Sequence, residues 1–505
     1  MKFDSPVFLV MIAVLLIAYL LFIIWVGKIG SKHSRSMAGF SIARGAVSPW
    51  VVGVSFAATY ASANLFMGVP GWAYTYGAPV LWWSLGSFGL TWLGLLLFAR
   101  TFWRQAQLQG GALTLPHWLR NRYNSRTLQV VVGFLALFNI YYIIGQNVGL
   151  ATLFETVLGV PYVWGVTLGV TITVAYLSVG GAYAQYISDG IQGILMSFIS
   201  VLLFISLAWS IGGGWGFLGE LNAQMEQIDP GLIAATAKSG PFYSGLAILS
   251  IGWLLFSFGL LPHLMNKVLS LEKESDLRAF TLSSGITLFL LASFSAFAGM
   301  AARVLVPDLD SADSAIPAYI MHTFPPVVVA LLITGLLAAI LSTTNSLYMG
   351  ISTIIGNDLY KPIIAPLIHR DGQTTEQADR HSLLVSKGAL VVVGIASLFM
   401  SLNRPDSLSL LTQFGIAAII SGVIAPIVLG YLWKPANRAG AIAATLFGSG
   451  CYIGLSLTGI QSNVFLALGI SSIVGFVMMI AVSLSTARAG DSWPEYDNEA
   501  SEANL

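Results

Sequence analysis

Apolar stretches of membrane-spanning length recur along the whole chain and are separated by short polar segments. A helix needs about 20 residues to cross a bilayer. The pattern therefore predicts thirteen membrane-spanning helices, near residues 6–27, 46–73, 79–99, 127–157, 162–179, 189–212, 243–266, 279–302, 326–356, 384–402, 408–433, 439–458 and 463–486. The second, fourth and ninth are longer than one span requires, which indicates tilt, a break or an extension beyond the membrane.

Composition supports an integral membrane protein whose surroundings are the lipid bilayer. The 505 residues are 56% hydrophobic and 9% charged, whereas soluble domains carry about 25% charged residues. The net charge of +1 argues against a nucleic-acid partner. A single cysteine and six histidines without an i,i+4 pair give no support for a transition-metal site. No nucleophile–base pair lies at membrane depth, so we do not expect an enzyme.

Positive charge orients the predicted helices, because Lys and Arg concentrate in cytoplasmic loops. With the N-terminus outside and the C-terminus in the cytoplasm, 19 of the 23 basic residues, including Lys267, fall inside. We therefore expect no Lys or Arg in the middle of the core. The stretch "VFLVMIAVLLIAYLLFIIWVG" is better interpreted as a retained first span than as a signal peptide. The polar, acidic residues 488–505 are predicted to be disordered.

Two helices contain sequence signals for a break. Helix 2, "VVGVSFAATYASANLFMGVPGWAYTYG", has a small, polar middle, and helix 7 places Gly259 and Pro262 within one turn. Gly lowers helix stability, and Pro removes an intrahelical hydrogen bond. Such backbone is tolerated at depth only where it is buried or lines a cavity. Ordinary helix packing is the alternative for either interruption taken alone.

The two interrupted helices are five apart, which is the spacing expected of an inverted repeat. The predicted organisation comprises an N-terminal helix with a cytoplasmic loop, two five-helix repeats separated by an extracellular loop, two C-terminal helices and a cytoplasmic tail. The N-terminal helix and its loop occupy residues 1–44. The two repeats occupy 45–212 and 243–433, and the extracellular loop between them is 213–242. The two C-terminal helices occupy 434–487, and the tail occupies 488–505.

A run of polar residues interrupts helix 9, in "LLAAILSTTNS" at residues 336–346. Residues three and four apart share a helix face, so Ala339, Ser342 and Thr343 form one group, and Ser342, Asn345 and Ser346 form another. Neutral oxygens suit a hard cation. Further ligands could come from backbone carbonyls near the break of helix 2. Close helix–helix packing by small polar residues is the alternative.

Other polar residues at depth have two interpretations each. Asp189 either caps the start of helix 6 or is a charged cation ligand beside the second group. Tyr142 and Gln146 on helix 4 either line a substrate cavity or are satisfied by neighbouring helices.

Four segments in this order and spacing resemble the sodium:solute symporter family: "ATYASANLFMGVPGWAYTYG", "GGAYAQYISDGIQG", "FGLLPH" and "RVLVPDL…IP…FPP…LLAAILSTTNS…NDLY". The resemblance implies an all-α membrane protein of about 13 helices with a five-plus-five inverted-repeat (LeuT-like) core. It also implies Na+ as the coupling ion, a small organic solute as the substrate, and no cofactor. No obligate protein partner is evident.

The resemblance also implies site residues. The principal sodium site would use the carbonyls of Ala58, Ala61 and Ala339 with the hydroxyls of Ser342 and Thr343. A possible second sodium site would use Asp189, Ser342, Asn345 and Ser346, although such family members usually have a hydroxyl where Asn345 stands. The implied substrate-binding residues are Thr59, Tyr60, Ser62, Asn64, Tyr142, Gln146, Phe258, Gly259 and Pro262.

The "TY-x-SA" pattern in helix 2 is most similar to the pantothenate and monocarboxylate branches of the family. We therefore expect sodium-coupled uptake of a small carboxylate, such as pantothenate or a monocarboxylate, by alternating access in a plasma membrane of the bacterial inner-membrane type. The carboxylate would bind helix-end amides with Tyr or Asn donors. The alternatives are proton coupling, a proline-like amino-acid substrate, an ion channel, and a sensor without transport.

Overall fold

The structure is a computed structural model that describes residues 6–108, 111–368, 374–403 and 408–486. The predicted disordered tail lies outside the described residues. The regular structure of the described part is helical. We number the spanning helices α1 (Pro6–Gly30), α2 (Pro49–Tyr60 and Asn64–Tyr76), α3 (Leu81–Leu108), α4 (Arg126–Leu158), α5 and α6 (together Tyr162–Ser210), α7 (Gly245–Leu269), α8 (Asp276–Leu305), α9 (Pro326–Ile354), α10 (Thr375–Leu402), α11 (Leu408–Leu432), α12 (Arg438–Leu457) and α13 (Val464–Ser485).

The number of spans agrees with the sequence prediction. Within the described ranges, eleven helices are long and apolar enough to cross a membrane, and the bent pair that forms α2 adds a twelfth. The 49-residue helix Tyr162–Ser210 would be roughly 70 Å long if straight, about twice the thickness of a bilayer core. It departs from helical geometry at Gly181, which separates α5 from α6. With α5 and α6 counted separately, the described ranges contain thirteen spans.

Gly181 is the residue that permits this separation. Its φ of 56° and ψ of −155° lie in a region of backbone space that is essentially restricted to glycine. The segment after α1 packs against it, and the Ser34 hydroxyl donates to the Gly180 carbonyl at 2.8 Å. A Cβ atom on Gly181 would lie 2.6 Å from the Ser34 Oγ. Both the backbone conformation and the close approach therefore require glycine here.

Both predicted helix breaks are present. The two halves of α2, α2a (Pro49–Tyr60) and α2b (Asn64–Tyr76), meet at an angle of 52°. Ala61 follows α2a with φ −74° and ψ 74°, outside helical geometry. In α7, Leu261 is extended and Pro262 begins the second half. The residue before a proline is disfavoured in helical geometry, which explains the position of this break.

The two broken helices meet at α9, which lies at the centre of the bundle. Every residue of α9 from Leu336 to Ile354 is buried. This helix packs against α2a, against α4 and against α7b (Pro262–Leu269), the second half of α7. α7b also packs against α2a. The polar run of α9 is therefore enclosed by protein at the point where the backbone of both neighbours is interrupted.

We predict that Gly181→Ala destabilises the protein, because alanine must adopt a conformation that costs about 1–3 kcal/mol and must also displace Ser34. Thermal unfolding of the purified protein in detergent measures the loss. The matched control is Gly388→Ala, since Gly388 is helical and a Cβ there meets nothing within 4 Å. Equal melting temperatures for the two variants would contradict the requirement for glycine at position 181.

Candidate functional site

The hydroxyl of Ser342 joins α9 to the end of α2a. Its oxygen lies 2.9 Å from the Ala58 carbonyl oxygen and 2.8 Å from the Ala339 carbonyl oxygen. All three residues are fully buried. One of the five oxygens expected at the principal cation site, the Ser342 hydroxyl, is therefore within hydrogen-bond distance of two others.

The remaining two predicted ligands lie at the same crossing. The Thr343 hydroxyl donates to the Thr59 carbonyl at 2.7 Å, one residue beyond Ala58. Ala61 lies where α2a ends, and its amide still donates to Ala57. A hydroxyl has lone pairs as well as one donor hydrogen, and its hydrogen can rotate. The same groups can therefore hydrogen-bond to each other or turn their lone pairs toward a monovalent cation.

Asp189 lies eight residues beyond Gly181, inside the continuous helix α6, and its carboxylate is fully buried. The capping interpretation is therefore wrong, because an interior residue has no free helix-terminal amides to satisfy. Instead, the carboxylate lies among side chains of four elements, at distances of 3.1–3.4 Å from Ser55, Thr59, Gln185, Lys267, Asn345 and Ser346. Ser342 points toward Ala58 and Ala339 rather than toward Asp189.

Lys267 is the main feature that the sequence analysis placed incorrectly. Its side chain is 0% exposed, and its ammonium forms an ion pair with Asp189 at 3.1 Å. The expectation that the core contains no Lys or Arg is therefore wrong. The reason is that α7b begins at Pro262 and is buried along its whole length, so that position 267 lies beside α2a instead of in a loop.

The ammonium of Lys267 has further oxygen neighbours. Its Nζ donates to the Ser55 carbonyl at 2.8 Å, to the Ser55 hydroxyl at 2.6 Å and to the Thr59 hydroxyl at 2.5 Å. It also lies 5.5 Å from the centre of the Tyr186 ring. Apolar residues on both sides of this lysine, in "HLMNKVLSL", are the sequence signal that could have identified it as buried.

Aromatic residues from three helices surround the two breaks. Tyr60 at the end of α2a packs edge-on against Phe258 at the end of the first half of α7, with ring centroids 4.9 Å apart. Tyr142 of α4 lies 6.5 Å from the same Phe258 ring. All three are buried. Gly259 directly follows Phe258, and Pro262 begins the second half of α7. The structure therefore brings the predicted substrate residues of α2, α4 and α7 together.

The polar members of the predicted substrate site form hydrogen bonds with backbone and side-chain groups at the break of α2. The Gln146 side-chain oxygen accepts a hydrogen bond from the Ala63 amide at 2.8 Å. The Asn64 side-chain oxygen accepts one from Ser409 of α11. Ser62 lies in the break and is buried, while Thr59 belongs to the network around Lys267. Of these residues, only Gln146 keeps a polar atom without a hydrogen-bond partner, its Nε2, within the described ranges.

Sequence analysis did not single out His263, which directly follows Pro262. Its ring centroid is 5.9 Å from that of Tyr142, and the residue is 2% exposed. Neither ring nitrogen has a hydrogen-bond partner in the described part of the chain, and the same is true of both polar atoms of Gln413 on α11. Buried polar atoms are nearly always paired with protein, water or ligand. The quoted motif "FGLLPH" contained this histidine, but its burial was not evident from sequence.

A cavity of about 480 Å³ lies beyond these residues, at the far end of α2b. Its walls include Trp72, Tyr76, Asp313, Asn463 and Phe465. None of the predicted substrate residues lines it. The central residues are buried, and they do not line this cavity.

A second buried carboxylate, Asp358, lies on the continuation of α9 and is also held by protein donors. It accepts hydrogen bonds from Thr114 at 2.6 Å, from Gln129 at 2.7 Å and from Asn357 at 3.0 Å. These contacts tie α4 and the short helix Leu115–Tyr123 to the end of α9. These protein donors stabilise the buried Asp358 carboxylate, so its burial is explained without a ligand.

Comparison with known proteins places the chain among transporters. The model of the sodium:solute symporter family matches residues 40–448. The chain is 27% identical to the sodium/pantothenate symporter of Haemophilus influenzae over 446 residues, which cover 85% of this chain and 84% of that protein. It is 24% identical to sodium/proline symporter 2 of Staphylococcus saprophyticus over 447 residues, or 86% of this chain and 84% of that protein.

The fold matches that of a solved transporter. A Na+-coupled sialic acid symporter in a substrate-bound, outward-open state superposes with a TM-score of 0.76, covering 94% of this chain and 98% of that chain at 20% identity. The predicted LeuT-like architecture is confirmed at the level of the fold.

We predict that Gln146→Met lowers stability, because the buried Ala63 amide loses its acceptor, at a cost of about 1–3 kcal/mol. Thermal unfolding in detergent provides the measurement. Thr167→Val is the control, since the Thr167 hydroxyl bonds only within its own helix, to Val163. If both variants melt at the same temperature, the Gln146 contact does not support the break of α2.

Proposed function

The chain belongs to the sodium:solute symporter family, and we propose on that basis that it takes up a small organic carboxylate with sodium by alternating access. Members of this family are transporters rather than enzymes, use Na+ as the coupling ion, and act on small organic solutes. The chain is an integral membrane protein, as its apolar helices require. The carboxylate, the site residues and the direction of insertion belong to the proposal.

The proposed sodium site lies at the crossing of α2a and α9. Its ligands are the carbonyls of Ala58, Ala61 and Ala339 and the hydroxyls of Ser342 and Thr343. The observation that carries this assignment is the convergence of Ser342 with the Ala58 and Ala339 carbonyls within 3 Å. An ion here would connect a broken helix to the central helix, so that sodium binding favours one arrangement of the two.

The proposed solute site lies between the two breaks, beside Tyr60, Tyr142 and Phe258. Its polar groups are His263 and the Gln146 amide, whose nitrogens lack protein partners. These groups can donate hydrogen bonds to a carboxylate. The pantothenate symporter of Haemophilus influenzae supports this substrate class, and an amino acid, as in the proline symporter, carries the same group. Lys267 is not available to the solute because it is paired with Asp189.

The proposed orientation places the N-terminus outside and the C-terminus in the cytoplasm of a plasma membrane. It follows from the concentration of Lys and Arg in alternate loops. Lys267 no longer contributes to this argument, since it is buried in the core. The remaining basic residues keep the same bias.

The sodium gradient limits what such a carrier can accumulate. A tenfold gradient supplies about 1.4 kcal/mol, and one charge crossing 100 mV supplies about 2.3 kcal/mol. A monoanion carried with one sodium moves no net charge, so only the chemical gradient drives it. The number of sodium ions therefore decides whether membrane potential contributes to uptake.

We predict that the double variant Ser342→Ala, Thr343→Ala loses sodium-stimulated uptake in proteoliposomes, because both side-chain ligands are removed. The solute is first identified by sodium-dependent thermal stabilisation with pantothenate, small monocarboxylates and proline. Thr344→Ala is the matched control, since the Thr344 hydroxyl donates to the Ile340 carbonyl within α9. Wild-type sodium dependence in the double variant would refute the site.

We predict that His263→Phe raises the KM for the carboxylate about 10- to 150-fold, the equivalent of losing one hydrogen bond to a charged group. The sodium concentration for half-maximal uptake should stay within twofold of the wild-type value, because the sodium site is built from other residues. An unchanged KM together with a lower sodium affinity would exclude His263 from the solute site.

A further inference from the structure

We propose that the ammonium of Lys267 is a tethered cation that permanently occupies the position beside Asp189, so that each transport cycle couples one sodium ion rather than two. This inference rests on the proposed sodium-coupled function and deepens it. It concerns the position at which the sequence placed a possible second sodium, with Asp189, Ser342, Asn345 and Ser346.

The oxygens around the Lys267 ammonium are those that would otherwise hold a small hard cation. They comprise one backbone carbonyl and one hydroxyl from Ser55, one hydroxyl from Thr59, and one carboxylate oxygen from Asp189, at 2.5–3.1 Å. Carbonyl, hydroxyl and carboxylate oxygens are the usual ligands of hard cations. The ammonium has three donor hydrogens, and it directs them at these same oxygens.

The carboxylate of Asp189 has little capacity left for another cation. Donor atoms of Lys267, Ser55, Thr59, Gln185 and Ser346 all lie within 3.4 Å of its Oδ2, which is more than the lone pairs of one oxygen can accept at once. Its Oδ1 faces the side-chain nitrogen of Asn345 at 3.4 Å. An amide nitrogen is a donor and cannot ligate a cation. Asn345 therefore turns a donor toward the carboxylate, while its own side-chain oxygen has no hydrogen-bond partner in the described part of the chain.

Charge balance leads to the same conclusion. Asp189 and Lys267 are both completely buried and form a neutral pair. Buried charges are stable only when they are paired and hydrogen-bonded. A sodium ion added here would leave an uncompensated positive charge in a region of low dielectric constant, next to the ammonium. Removal of the ammonium would leave an unpaired carboxylate, which is the condition that attracts a cation.

The position of the pair distinguishes this role from a purely local structural one. Through Lys267 the pair joins α7b to α2a, and through Asp189 it joins α6 to α9. Ser346 of α9 also lies 2.7 Å from Thr59 of α2a. A tethered cation at this junction holds both broken helices against α9 without requiring an ion from solution.

The experiment counts sodium ions on the purified full-length protein, with ²²Na+ as the probe and choline as the replacement cation, so that no solute needs to be known. We expect the wild type to bind one sodium with a Hill coefficient of 1. Lys267→Met should bind two, because the carboxylate is then free to hold a second ion. Lys267→Met combined with Asp189→Asn should return to one, and Lys267→Arg should also bind one.

Lys238→Met is the matched control, since Lys238 forms an exposed ion pair with Asp229 outside the spanning helices. It should bind one sodium like the wild type. The double variant keeps the experiment decisive if Lys267→Met alone does not fold, because a neutral pair has no unpaired buried charge. In that case two ions on the wild type would overturn the inference and one ion would support it.

Other outcomes separate this inference from the proposed function. Two ions on the wild type, or one ion on a folded Lys267→Met variant, would overturn the tethered cation while leaving sodium coupling in place. No sodium on the wild type would refute the proposed function and the inference with it. Calorimetry in buffers of different ionisation enthalpy supplies a further readout: release of one proton per sodium bound would overturn a permanent ammonium.

Discussion

Backbone carbonyls that lose their helical partners inside a membrane must find other partners, since no water is available there to replace them. In this protein the requirement arises after Tyr60, where α2a ends before the chain resumes as α2b. The hydroxyls of Ser342 and Thr343 reach the carbonyls of Ala58 and Thr59 across the helix interface. The polar run of α9 thus has a structural role, and that role creates a cluster of oxygens suited to a cation.

The second constraint is the burial of opposite charges. An isolated Asp189 carboxylate would be strongly unfavourable at this depth, and the Lys267 ammonium compensates it. Because the partners come from α6 and α7b, the ion pair also fixes where the second half of the broken helix 7 lies. Hydroxyls of Ser55, Thr59 and Ser346 complete the network. Electrostatics and helix packing therefore specify the same arrangement around α9.

The two polar clusters next to α9 differ in a way that bears on transport. The first consists of neutral carbonyls and hydroxyls, so it can exchange internal hydrogen bonds for contacts with an ion, and no cationic side chain belongs to it. The second already contains a complete ion pair, and the Lys267 ammonium would repel an additional cation there. Under the proposed assignment, an ion enters and leaves at the first cluster during the cycle, and the positive charge at the second cluster belongs to the protein itself.

The amino-acid sequence determined most of the fold, because membrane-spanning length, the breaks near Ala61 and Pro262, and the polar run at Ser342–Ser346 are local properties of the chain. It also identified the residues that meet at the crossing of α2a and α9. It could not place Lys267 or His263, and it left Asp189 open between a cap and a ligand. Both basic residues follow a proline in a short helix that looks like the edge of a span. Only the packing of α7b against α2a and α9 decides that they are buried, because burial depends on partners distant in sequence.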